Sequence, residues 1–163
     1  MQVDIYIAGN SKRPETIDRW VGFLIRARNS RKEAIGTANY VSTYHETFLM
    51  VIVEALDRFI RPADITMHLE DAWVVSCLQR ISQDGEEEPR SLLDIWQANG
   101  WKKSRGRNLE NKDMWQRLYN KLRVFEQSGG TFSFVALDTR DETDSDRRGK
   151  IARAIGCTMQ NQD

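Results

Sequence analysis

The chain is 163 residues long, 40% hydrophobic and 29% charged, the proportions of an ordinary folded domain with a sizeable core. Its 24 Lys and Arg balance 24 Asp and Glu, so no overall charge draws it to a polyanion, and any such affinity has to come from a local patch. No run approaches the roughly 18 uninterrupted apolar residues of a membrane span. Asp4 and the short apolar run around it do not read as a signal peptide, and Cys77 and Cys157 read as free thiols of a reducing, cytoplasmic compartment.

Residues 3–8, Val-Asp-Ile-Tyr-Ile-Ala, alternate and are β-branched, which predicts a strand ended by Gly9-Asn10-Ser11. A second strand is expected over 17–28 and, after the turn Asn29-Ser30-Arg31-Lys32, a third over 33–42. The period then changes. Glu46, Leu49, Val53, Leu56 and Ile60 share one helical face, so 44–60 reads as a helix halted by Pro62. A fourth strand at 64–69 leads to a short helix through Trp73, Val74, Cys77 and Leu78, and then to an acidic loop at 84–88 that would sit in solvent. A helix near 91–98 stops at Asn99-Gly100. The basic stretch from Trp101 to Asn108 precedes a helix from Asn111 with Trp115, Leu118, Leu122 and Phe125 on its buried stripe. Gly129-Gly130 turns into a fifth strand at 131–137, and a last helix is expected at about 145–156. The order predicts one α/β domain, residues 1–163, with a five-stranded mixed sheet flanked by helices.

The stretch Trp96-Gln-Ala-Asn-Gly100-Trp101-Lys102-Lys103, continuing to Asn111-Lys-Asp113-Met-Trp115-Gln116-Arg117-Leu118, resembles the basic handle loop and following helix of the type 1 ribonuclease H family. The strand order and the closing Ile151-Ala152-Arg153-Ala154 are similar too, so the resemblance covers nearly the whole chain. It implies a ribonuclease H-like fold. It also implies cleavage of the RNA strand of RNA–DNA hybrids by two-metal phosphoryl transfer, with four carboxylates holding Mg²⁺ or Mn²⁺.

Set against that pattern, the site is incomplete. Ala8 stands where the first-strand aspartate bridges both metals, and Asp4 shares its strand face but lies about 13 Å back. Glu46 matches the helix-start carboxylate, although Thr43-x-x-Glu46 is also a capping box. Glu70 matches the fourth-strand position, with Asp71 as the one-residue-shifted alternative and a helix cap in its own right. Gly149 stands at the last-helix position, and Asp146 one turn earlier is a possible substitute. The family histidine has no counterpart in residues 137–142, and Lys12-Arg13-Pro14-Glu15-Thr16 replaces the glycine-rich first turn. His45 and His68 lie in no ligand pattern.

The resemblance therefore implies catalysis by Glu46 and Glu70, with Glu46, Glu70, Asp71 and Asp146 holding Mg²⁺ or Mn²⁺ weakly if at all. Nucleic acid would be met by Trp96, Trp101, Lys102, Lys103, Arg105, Arg107 and Asn111, whose cations neutralise phosphates. The expected function is binding of RNA–DNA hybrid or duplex with weak or no cleavage. Two alternatives stay open: an active Mg²⁺- or Mn²⁺-dependent hybrid ribonuclease with relocated carboxylates, and a protein-interaction domain on the same fold.

Overall fold

The computed structural model describes residues 1–82 and 88–161. Strands β1 (Gln2–Gly9), β2 (Ile17–Ala27) and β3 (Glu33–Ser42) form an antiparallel meander. Helix α1 (Tyr44–Leu56) crosses over to β4 (Asp64–Leu69), which pairs parallel to β1. Short helices α2 (Ala72–Leu78) and α3 (Leu92–Ala98), then α4 (Lys112–Gln127), lead to β5 (Thr131–Ala136), parallel to β4. Helix α5 (Glu142–Gln160) follows. The sheet order is β3-β2-β1-β4-β5, so the predicted five-stranded mixed sheet is present.

Alternation along β1 divides the structure into two cores. Val3, Ile5 and Ile7 point into the larger one with Phe48, Leu49 and Ile52 of α1, and with Trp115, Leu118, Leu122 and Phe125 of α4. Tyr6 and Ala8 point the other way, into a smaller cluster with Trp20 and Leu24 of β2 and Ile151 and Ile155 of α5. Ala8 is thus buried beneath α5. Gly22, opposite Ala8 in the register, allows this closeness: a Cβ there would lie 2.7 Å from the Ile151 side chain.

Two expectations need correction. Helix α1 ends at Leu56, not residue 60. Arg58 N and Phe59 N donate to Ala55 O and Leu56 O in a tightened last turn. That turn sends Phe59 against Phe125 and leaves Ile60 fully in solvent. Helix α5 begins at Glu142 because Asp141 accepts from Asp144 N as its N-cap, and it runs on to Gln160. The acidic run at 84–88 lies outside the described residues except for Glu88, which is exposed. Among the described residues no helix is long and apolar enough to cross a membrane.

Candidate active site and nucleic-acid interface

The ends of β1 and β4 meet beside α5. Glu70 N donates to Ile7 O at 3.0 Å, which sets the Glu70 side chain next to Ala8 and Gly9. Its carboxylate is 4% exposed. One oxygen accepts a long hydrogen bond from Gly9 N, 3.5 Å, and the other accepts from Arg148 Nε at 2.6 Å. The partners of this carboxylate are therefore a backbone amide and a guanidinium. Arg148 is the residue that sequence reasoning misses. It precedes Gly149 on α5 and reaches the β1–β4 end itself. The only local signal is the pair Arg147-Arg148 at a helix position otherwise expected to face carboxylates.

Asp71 is buried, 2% exposed, and both its oxygens are engaged. Oδ1 accepts from Trp73 N and Val74 N, capping α2, while Oδ2 lies 2.5 Å from His45 Nδ1. The His45 ring packs on Trp73, with centroids 4.4 Å apart. Asp146 stands out in solvent and pairs with Arg147 and Lys150. Glu46 lies on the first turn of α1, where its backbone N–H donates to Thr43 Oγ1. Its side chain lines a shallow groove of about 460 Å³ with Asn111, Lys112, Asp113 and Met114. Asp4, at the far end of β1, is held by Arg28 and by His68, which stacks on Tyr6.

These donors do not fit a pair of dications. Mg²⁺ demands several hard oxygens in octahedral array, and among the described residues no three His, Cys, Asp or Glu side chains are arranged to hold a metal. Ala8 and Gly149 offer no side-chain oxygen, Asp71 is consumed by the cap, and Glu70 is already neutralised by Arg148.

The turn at residues 11–16 is fixed by a buried arginine. Arg19 donates to the carbonyls of Ser42 at 2.7 Å and Ser11 at 3.2 Å, and also to those of Arg13 and Glu15. Asn10 is pinned to Trp20 by its backbone N–H and its side-chain oxygen.

The basic stretch forms a closed loop. Gly100, at φ +72°, ends α3, as its sequence position predicts. Lys103 N donates to Arg107 O at 2.8 Å, and Lys102 bridges Asn108. Arg105 and Gly106 both adopt positive φ within a 3-10 turn at Ser104–Gly106. Lys102, Arg105 and Arg107 are exposed and Lys103 is half-buried. None of the four forms an ion pair among the described residues. Trp101 is partly buried with its ring edge-on to Tyr119. Trp96, expected at the nucleic-acid face, is 7% exposed and packs edge-on to Trp115 at 5.1 Å. It anchors the loop from below and does not present a surface, because the buried stripe of α4 needs a large partner there. Asn111, with φ +57°, starts α4 without a side-chain cap bond, next to Glu46 in the groove.

No family model matches the chain. Its fold is that of ribonuclease H. It superposes on a type 1 RNase H with the type 2 active-site motif at a TM-score of 0.62 and 15% identity, covering 95% of this chain and 72% of that one. It superposes on the RNase H domain of a foamy virus at 0.58 and 11% identity, covering 94% and 90%. In sequence it is 31% identical over 117 residues to the ribonuclease H of Verminephrobacter eiseniae, 72% of this chain and 67% of that protein. It is 28% identical over 116 residues to that of Albidiferax ferrireducens, 71% and 69%. The chain belongs to the type 1 ribonuclease H family.

Proposed function

We propose that the chain acts as a single ribonuclease H-like domain, in a cytoplasmic setting, that binds RNA–DNA hybrid or duplex nucleic acid and cleaves it weakly or not at all. The observation that carries the binding half is the closed loop with Lys102, Lys103, Arg105 and Arg107, four cations without ion-pair partners among the described residues of a net-neutral protein. Unpaired cations on an ordered loop lose little on meeting phosphates and release the counterions of the duplex. Trp101 precedes the loop in the chain and Asn111 opens α4 after it. A foamy viral protease–reverse transcriptase, 18% of whose chain superposes on 88% of this one at a TM-score of 0.56, has been solved with an RNA/DNA hybrid, which supports the choice of ligand.

The weak-cleavage half rests on the donor set. Mg²⁺ or Mn²⁺, if held at all, would have Glu46, Glu70, Asp71 and Asp146 to draw on, and these point to four different surroundings. An active enzyme with relocated carboxylates would need Glu70 released from Arg148. The binding reading is tested by replacing the four loop cations with Ala. The hybrid affinity should fall, and the log–log salt slope should shrink by about 0.9 for each phosphate of duplex DNA that is no longer neutralised. An unchanged slope removes the loop from the interface.

A further inference from the structure

At the end of β1, where the fold family places a metal pair, this chain places an ion pair. Glu70 sits there almost fully buried, and a buried carboxylate needs a compensating charge. Arg148 supplies it through Nε alone, 2.6 Å from Glu70 Oε2. Its two terminal nitrogens make no hydrogen bond among the described residues, and Arg148 has no ion-pair partner there besides Glu70. The side chain is 43% exposed. It lines a pocket of about 280 Å³ together with Ala8, Gly9, Asn10, Ile151, Ala152 and Ile155. The methyl of Ala8 leaves that pocket without a competing anion. A guanidinium anchored at Nε with its outer N–H groups free is a preorganised fork for two phosphate oxygens.

Of the four carboxylate positions of the family pattern this chain keeps Glu46 and Glu70, and Arg148 cancels the charge of Glu70. The pair thus spares a phosphodiester the repulsion of a bare carboxylate, yet supplies no activated water and no Lewis acid. From this geometry we infer that Arg148 is a metal-independent seat for one backbone phosphate of the bound nucleic acid, with Glu70 as the residue that positions it. The inference rests on the nucleic-acid reading above.

The experiment measures binding of a labelled 12-base-pair RNA–DNA hybrid by fluorescence anisotropy, at several salt concentrations, in EDTA and in Mg²⁺ at matched ionic strength. Wild-type affinity should be the same within about 2-fold in both. Arg148→Gln should lose about 10-fold, the scale of one charge-assisted contact, and its salt slope should drop by up to about 0.9. Because Arg148→Gln leaves Glu70 buried and unpaired, the double variant Glu70→Gln with Arg148→Gln, which is neutral at both positions, is measured beside it and should show the same loss. Wild-type binding that collapses in EDTA overturns the inference. So does an unchanged salt slope in both variants while wild type binds. If wild-type protein binds no hybrid in either buffer, the nucleic-acid reading falls, and this inference falls with it.

Discussion

His45 Nδ1 lies 2.5 Å from Asp71 Oδ2, and the other oxygen of Asp71 accepts from the backbone N–H groups of Trp73 and Val74. One buried carboxylate thus ties the start of α1 to the start of α2, across the edge of the candidate site. Asp71→Ala removes the cap and strands the two N–H groups, and should cost about 1–3 kcal/mol in urea unfolding. Hybrid affinity should stay near wild type where the variant is folded. A loss under about 0.5 kcal/mol would show that the cap is not structural.

Trp115 is 1% exposed and meets both Trp96 and Trp73 edge-on. It joins α3, which carries the basic loop, to α4 and α2. Trp115→Ala should destabilise the fold by roughly 3–5 kcal/mol, as expected for truncating a large buried aromatic. A change below about 1 kcal/mol in denaturant titration would contradict the packing described.

Asp4 gives a prediction in pH. Burial opposes its ionisation, but hydrogen bonds from Arg28 and His68, together with their charges, outweigh burial and hold the carboxyl below the usual range. A depressed folded value means that the ionised form is favoured in the folded state. Its stabilisation is therefore fully present above the unfolded value near pH 4 and fades as the pH falls from there through the folded value. Asp4→Asn should lower the urea midpoint at pH 7 and narrow the gap between the variant and wild type at pH 3. An equal gap at both pH values would contradict this assignment.

What can be read from the sequence depends on how local each signal is. Alternation marks β1 and β4, the stripe Trp115, Leu118, Leu122 and Phe125 gives the phase of α4, and Gly100 gives the end of α3, because each depends on neighbours a few residues away. Ile60 continues the helical period of α1 on paper, but the chain gains more by turning early and burying Phe59 against Phe125. Asp141 resembles the rest of an acidic loop although it caps α5. Trp96 and Trp101 look alike beside the basic run, and only the packing against Trp115 separates the buried anchor from the half-exposed ring. That Ala8 and Gly149 carry no carboxylate is plain in the sequence. The Glu70–Arg148 pair is not, since its members lie 78 residues apart and no spacing links an arginine on the last helix to an acid after the fourth strand.

Whether the Glu70–Arg148 pair has displaced catalysis is decided by cleavage of a labelled RNA–DNA hybrid, using protein free of contaminating host nuclease, with Mg²⁺ and separately with Mn²⁺. Wild-type protein should show little or no cleavage with either metal, because Glu70 is neutralised by Arg148 and neither Ala8 nor Gly149 offers an oxygen. Restoring the two carboxylates by Ala8→Asp with Gly149→Asp should tighten metal binding and raise any trace activity, with Ala8→Asp contributing more because that position lies between the two metals of the family pattern. Wild-type turnover near 1 s⁻¹, an ordinary enzyme rate, would contradict the weak-cleavage reading and make the Glu70–Arg148 pair an inactive arrangement that substrate or metal opens.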